Sequence, residues 1–306
     1  MTGLEQRRLG PFGVSVVGLG CNNFGGRLDL DRTRAVVDAA LDAGVNFLDT
    51  ANVYGDRGGS ERFLGELLEG RRERVVLATK FGNDMGDGET ARGSREYLRS
   101  AVDASLGRLR TDRIDLLYYH RPDGVTPISE TIGAMAELVD EGKVVALGVS
   151  NFDVAQLDEA VETGEIAALQ NQYSLLEREA ERDVLPRCRE LGVGFVPYFP
   201  LASGLLTGKY RRGEPAPEGS RLAGRSHILT EEAFDEVEAF DEFARGRGHS
   251  LLELAIGVLA AQPGVASVIS GATTPEQVRA NVGAAAWTPT PDDLEELVRI
   301  ESGSRA

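Results

Sequence analysis

Four ionisable side chains stand at the ends of short apolar runs, where a folded sheet would bring them to one edge. The run Asn46-Phe47-Leu48-Asp49-Thr50 ends in an acid, and Ala51-Asn52-Val53-Tyr54-Gly55 follows it. Leu77-Ala78-Thr79-Lys80 ends in a base, and Leu117-Tyr118-Tyr119-His120 ends in an imidazole. A lysine closing an apolar strand is desolvated and needs a counter-charge, and Asp49 on a neighbouring strand supplies one. An ammonium beside a phenol favours the ionised phenol, so the pKa of Tyr54 is expected to fall from about 10 toward neutrality. A tyrosine tuned in that way is a general acid at neutral pH. His120 can hydrogen-bond and orient the same substrate oxygen. His227 and His249 close no apolar run and read as surface positions. With one histidine at a strand end, no HExxH and no CxxC, metal chemistry is not expected.

The elements that must carry these residues repeat along the chain. Eight apolar runs rich in Val, Ile, Leu and Tyr span 16–21, 45–50, 75–80, 114–120, 144–150, 166–172, 193–199 and 265–270. They mostly do not alternate with polar residues, as expected of parallel strands covered on both faces. Helical patterns lie between them at 32–43, 61–70, 94–109, 128–141, 154–163, 179–191, 251–261 and 275–284. Gly44, Gly142, Gly164 and Gly192 follow such patterns, where a left-handed cap is cheap for glycine. Ser94, Asp153 and Thr274 sit where N-caps belong. Eight βα units predict a (β/α)8 TIM barrel, read as a single domain over residues 1–306. Three segments stand outside the repeat. Residues 7–17 read as an N-terminal β-hairpin turning at Pro11-Phe12-Gly13, able to plug the barrel bottom. Residues 201–230 form a long loop, and loops of that length are usually functional. Two extra helices are expected at 231–246 and 294–300.

Composition narrows the classes of partner. The 306 residues carry 33 Lys and Arg against 49 Asp and Glu, a formal charge of −16. Such a chain is repelled by nucleic acid and by anionic membranes, so neither is expected as a partner. No secretory apolar segment opens the sequence and no apolar run is long enough to span a bilayer, so a cytoplasmic protein is expected. Two cysteines, Cys21 and Cys188, set no disulfide framework. Two phosphate-loop patterns fail: Gly204 to Gly208 is one residue short of a P-loop, and no glycine falls three residues after Gly20. The oligomeric state is not legible, and with no strong exposed apolar stripe a monomer is the default expectation.

Taken in order, GLGCNNFGG, DTANVYG, ATK, LLYYH, GVSNF and GATTPEQVRAN cover nearly the whole chain. Together they resemble the aldo-keto reductase family. The resemblance implies that Tyr54 donates a proton, that Asp49 and Lys80 tune it and that His120 completes a tetrad. It also implies hydride transfer from the nicotinamide of NAD(P)H to the carbonyl carbon of a small substrate. Ser150, Asn151 and Gln172 offer paired donors and acceptors suited to a carboxamide, and the resemblance gives them the nicotinamide amide. Tyr198 would stack on the nicotinamide ring, with Phe199 beside it. Gly20, Cys21 and Asn22 would line the cofactor. Pro200, Leu201, Ser203 and Lys209 lie in a segment offering backbone donors, a hydroxyl and an ammonium to the pyrophosphate. Gly271 and Thr273 open a helix whose N-terminus suits phosphate, and Gln277 and Asn281 share one face of it toward adenosine.

Many family members carry basic residues where this chain has Gly271, Thr273 and Gln277. Arg221, and more weakly Arg279, resemble the alternative contact to a 2′-phosphate. NADP(H) is therefore favoured and NAD(H) possible. The segment LASGLLTGKY resembles the potassium-channel β-subunit branch, which suggests a cofactor-binding regulatory subunit as an alternative. That branch replaces the tetrad histidine, which is present here as His120. A Schiff-base aldolase using Lys80 is a third reading, but it leaves Tyr54 and the amide-binding residues unexplained. For the substrate, Phe81, Met85 and Tyr119 suggest an apolar wall, while Arg92 and Arg121 suit an anionic aldehyde.

Overall fold

The computed structural model describes residues 4–223 and 228–304. Its frame is eight parallel strands: β3 (Val17–Gly20), β4 (Phe47–Asp49), β5 (Val76–Phe81), β6 (Ile114–Tyr119), β7 (Val144–Ser150), β8 (Ile166–Gln170), β9 (Gly194–Phe195) and β10 (Val268–Gly271). Each pairs with the next in sequence, and β10 returns to pair with β3 through Val268↔Val17 to Gly271↔Gly20. The remaining seam is closed between β9 and the chain entering β10. Phe195 bridges Val265, and Ala266 N–H donates to the Phe195 carbonyl at 2.8 Å. The result is the expected (β/α)8 barrel.

The helices α1 (Leu30–Asp42), α2 (Tyr54–Leu67), α3 (Arg95–Leu109), α4 (Ile128–Asp140), α5 (Val154–Thr163), α6 (Val184–Leu191), α8 (Leu251–Ala261) and α9 (Pro275–Ala284) follow the strands. The extra helices are α7 (Glu231–Gly246) and α10 (Pro291–Ser304), the latter longer than the sequence pattern suggested. Ser94, Asp153 and Thr274 act as N-caps, each side chain accepting a backbone N–H three residues on. Of the expected glycine caps, Gly44, Gly142 and Gly192 are left-handed, whereas Gly164 is extended at φ −157°, a conformation that any residue adopts.

Two apolar clusters share the strands. The outer one fills the space between strands and helices. The inner one holds Phe47, Val76, Ala78, Leu116, Tyr118, Ala146, Ala168, Val196 and Ile269. Strand side chains alternate between faces. Phe47 inside therefore puts Asp49 inside, Val76 and Ala78 lead to Lys80, and Leu116 and Tyr118 lead to His120. Strand alternation thus delivers these three ionisable groups to the barrel lumen.

The hairpin β1 (Gln6–Leu9) and β2 (Phe12–Ser15) closes the other end, with Leu9 and Val14 joining the inner cluster. Its turn is Gly10-Pro11, not the expected Pro11-Phe12-Gly13, because Leu9 pairs with Phe12 and Gly10 takes φ +55°.

Candidate active site

Lys80 is fully buried; it forms an ion pair with Asp49 and donates to the Thr50 carbonyl at 2.9 Å. The second oxygen of Asp49 accepts from Gln170 Nε2 at 2.9 Å. Tyr54 comes from the loop that opens α2. Its ring lies over Lys80, whose ammonium stands 5.1 Å from the ring centroid. Its ring meets that of His120 edge-on, centroids 5.9 Å apart. Burial pulls Lys80 down, but Asp49 and then Tyr54 hold it net above its ordinary value, so it stays charged. Burial, with the Lys80 and Arg121 charges added, drives His120 well below its ordinary value, so its ring is neutral at pH 7. The Tyr54 phenol departs from expectation. Burial raises it, and this outweighs the lowering by Lys80, while Asp49 raises it further. Tyr54 therefore holds its proton firmly until a stronger base forms beside it.

A local distortion places Tyr54. After it, Gly55, Asp56, Arg57 and Gly58 run through positive φ before α2 becomes regular. Gly55 sits at φ +66°, and a Cβ there would lie 2.2 Å from the Phe24 carbonyl. Only glycine fits that approach.

The tetrad opens into a cleft of about 680 Å³ across the strand ends. Asn151, Phe199, Ala202 and Ser203 line it or its edge with φ between 44° and 61°, conformations that non-glycine residues adopt at a cost of order 1–3 kcal/mol each. Asn151 is held there by three bonds. Its amide donates to the His120 carbonyl at 2.9 Å and to Ser150 Oγ at 3.1 Å, and its oxygen accepts from the Tyr198 hydroxyl at 2.7 Å. Two lining hydroxyls, Ser220 Oγ and Ser270 Oγ, are buried without a partner. Such groups are costly unless a ligand or water satisfies them. Arg27, Arg121, Lys209 and Arg221 also line the cleft. Long, partly apolar, and edged with cations and unsatisfied hydroxyls, it is suited to a dinucleotide.

Residues 16–302 match the model of the Aldo/keto reductase family. The chain belongs to that family. It is 35% identical to a probable voltage-gated potassium channel subunit beta of Oryza sativa subsp. japonica, over 97% of this chain and 96% of that one. It is 34% identical to the L-glyceraldehyde 3-phosphate reductase of Escherichia coli K12, over 92% and 87%. The glycerol dehydrogenase AKR11B4 from Gluconobacter oxydans has a similar structure, with a TM-score of 0.86 at 31% identity over 96% of this chain and 94% of that one.

Within this aldo/keto reductase, the cleft gathers Gly20, Cys21, Asn22, Asp49, Ser150, Asn151, Tyr198, Phe199, Pro200, Leu201, Ser203, Lys209, Arg221, Gly271, Thr273, Gln277 and Asn281. Gln172 is not among them: it is exposed and bridges Tyr198 at the strand edge. β8 ends two residues earlier than its apolar run, and Gln170 faces the lumen instead. Strand alternation carried forward from Ala168 would have found it. Arg221 donates to Asn22 and Asn23 and lies 5.8 Å over the Phe199 ring. Gln277 meanwhile accepts from Thr273. Arg279 is exposed, faces Glu276 at 3.6 Å and does not line the cleft.

The expected apolar wall is absent from the cleft. Phe81 and Tyr119 stack on each other at 5.2 Å within the outer cluster, and Met85 does not line the cleft either. Arg92 donates to the carbonyls of Gly82 and Glu89 rather than facing a substrate. His249 is packed, not free: it stacks on Trp287 at 4.1 Å and meets Glu253. His227 lies outside the described residues. The sequence reading did not single out Asn83, whose amide nitrogen stands 3.0 Å from His120 Nδ1. It lies in an aperiodic loop, where spacing carries no signal.

Proposed function

We propose that this protein reduces aldehyde or ketone carbonyls to alcohols with NAD(P)H, Tyr54 acting as general acid. The observation that carries the reading is the convergence of Tyr54 and His120 on the cleft, backed by the buried Lys80–Asp49 pair. A bound nicotinamide supplies the hydride that adds to the carbonyl carbon. The chain does the rest. Tyr54 gives its proton to the oxygen as negative charge develops there, and the Lys80 ammonium behind it stabilises the phenolate left behind. Asp49 keeps Lys80 charged, and Gln170 keeps Asp49 in place. His120, neutral, orients the carbonyl. The raised pKa of Tyr54 suits this order of events, since the phenol yields its proton only to the more basic alkoxide.

NADP(H) is the favoured cofactor, with Lys209 and Arg221 as the cleft-lining cations that would meet its phosphates; NAD(H) remains the alternative that titration decides. Fluorescence titration with NADPH and NADH tests the site without a substrate. Micromolar or tighter NADPH binding supports it, and failure of both to bind overturns it. Tyr54→Phe should then lose about 100-fold or more in kcat while binding cofactor normally. The similarity to a channel β subunit raises a second reading, a cofactor-binding regulatory subunit. Cofactor binding without measurable turnover by the wild-type protein would favour it.

The substrate class follows from Arg121. This guanidinium lines the cleft next to His120, is exposed, and makes no hydrogen bond or ion pair among the described residues. A carbonyl compound with an anionic group suits it, and the similarity to a sugar-phosphate reductase supports the same reading. A carboxylated aldehyde should show a higher kcat/KM than its methyl ester, by about tenfold, and Arg121→Gln should erase the difference.

A further inference from the structure

Asn83 is fixed before it touches His120. It follows Gly82, whose φ of +100° turns the chain so closely over Tyr119 that a Cβ would lie 2.7 Å from that ring. Arg92 pins the same turn by donating to the Gly82 carbonyl at 3.1 Å. From this anchored turn the Asn83 amide nitrogen reaches His120 Nδ1 at 3.0 Å. The backbone of His120 is held separately, by Asn151. No described residue bonds His120 Nε2.

We propose that Asn83 is a positioning residue: by donating its amide N–H to His120 Nδ1, it fixes the single ring proton on Nε2, toward the cleft. The consequence for catalysis rests on the reductase reading above. A neutral imidazole carries one N–H, and its tautomer is set by what the other nitrogen bonds. Burial and the positive charges of Lys80 and Arg121 keep the ring neutral, so the choice between nitrogens matters. A carbonyl oxygen offers only lone pairs. An Nε2–H donates to it; a bare Nε2 repels it. The opposite amide orientation, with Asn83 accepting from Nδ1–H, would present the repelling face.

The test uses the scarcity of histidine, three in the chain. Protein labelled with 15N-histidine is examined by NMR at about pH 8, above the ordinary histidine pKa, with His120→Gln assigning the signal. Wild type should show His120 with an unprotonated, hydrogen-bonded Nδ1 and a protonated Nε2. Asn83→Asp replaces a donor by an acceptor-only carboxylate, so Nδ1 should move to its protonated position. Asn83→Leu should lower kcat about tenfold through loss of one hydrogen bond, with cofactor affinity unchanged. A protonated Nδ1 in wild type would overturn the proposal, as would a His120 spectrum unchanged in Asn83→Asp. A locked tautomer in a protein that reduces no carbonyl compound would support the positioning role and count against the reductase reading, so the two fail separately.

Discussion

A lysine, a carboxylate and a phenol share the bottom of this cleft because each answers another's need. Lys80 has no access to water; Asp49 and the Thr50 carbonyl accept from it, and the Tyr54 ring lies 5.1 Å from its ammonium. Removing the cation alone should therefore cost more than removing the pair. Lys80→Met leaves the Asp49 carboxylate buried with Gln170 as its remaining neutral partner, a loss of about 3–5 kcal/mol by analogy with broken buried pairs. The double variant Asp49→Asn/Lys80→Met should recover much of that in urea unfolding; a double loss equal to the sum of the two single losses would mean that the pair is not coupled. The expectation for Tyr54 failed at this scale. Residue types announce a neighbouring ammonium, but burial depth, which here outweighs it, is a property of the folded lumen. His120 makes a pH prediction. Its folded pKa is depressed, so below about 6.5 the unfolded chain takes up a proton that the folded chain refuses, and stability falls as pH drops. His120→Gln should lose less stability than wild type between neutral pH and about pH 5, as read by denaturant midpoints.

Strands and their alternation explain how much of this was legible. Each apolar run marked a strand because a barrel strand is covered on both faces, and period-two counting from the inner cluster puts Asp49, Lys80 and His120 in the lumen. The run at 166–172 overshot because Gln172 makes only an isolated bridge to Tyr198, beyond the end of the strand at Gln170. The run at 193–199 shrank to Gly194–Phe195, with Pro197, which has no ladder donor, two residues beyond its end. Loops hid the rest. The left-handed backbone through Ala202–Gly204 and the reach of Asn83 to His120 leave no periodic trace in the sequence. The hairpin plug was legible as an element though not in its turn. Leu9 is fully buried in the inner cluster, so Leu9→Ala should cost about 2–5 kcal/mol. Because the plug lies at the end of the barrel away from the cleft, NADPH affinity should be unchanged below the lowered Tm; a parallel loss of affinity would mean that the plug shapes the site.

Across the whole molecule, charge is divided unevenly. The chain carries −16, and many of its arginines are engaged at the surface; Arg212 alone meets Glu231, Asp235 and Glu238. The cleft reverses the sign. Arg27 donates to the Gly219 carbonyl and Arg221 to Asn22 and Asn23, while Arg121 and Lys209 face the cleft without an ion pair among the described residues. Lys80 is already cancelled by Asp49, which leaves Glu218 as the one other carboxylate lining the cleft among the described residues. An anion approaching this protein is thus opposed by its net charge and attracted by the cleft. Such a field is screened within a Debye length of about 10 Å at 0.1 M salt. NADPH affinity should therefore fall about tenfold as ionic strength rises from roughly 0.05 to 0.5 M, a steepness set by how many cations meet phosphate. Lys209→Gln should flatten that slope. If it flattens the slope for NADPH but not for NADH, Lys209 meets the 2′-phosphate. If it flattens both equally, Lys209 meets the pyrophosphate that the two cofactors share. An affinity indifferent to salt in the wild type would mean that the cleft cations face solvent and not the cofactor.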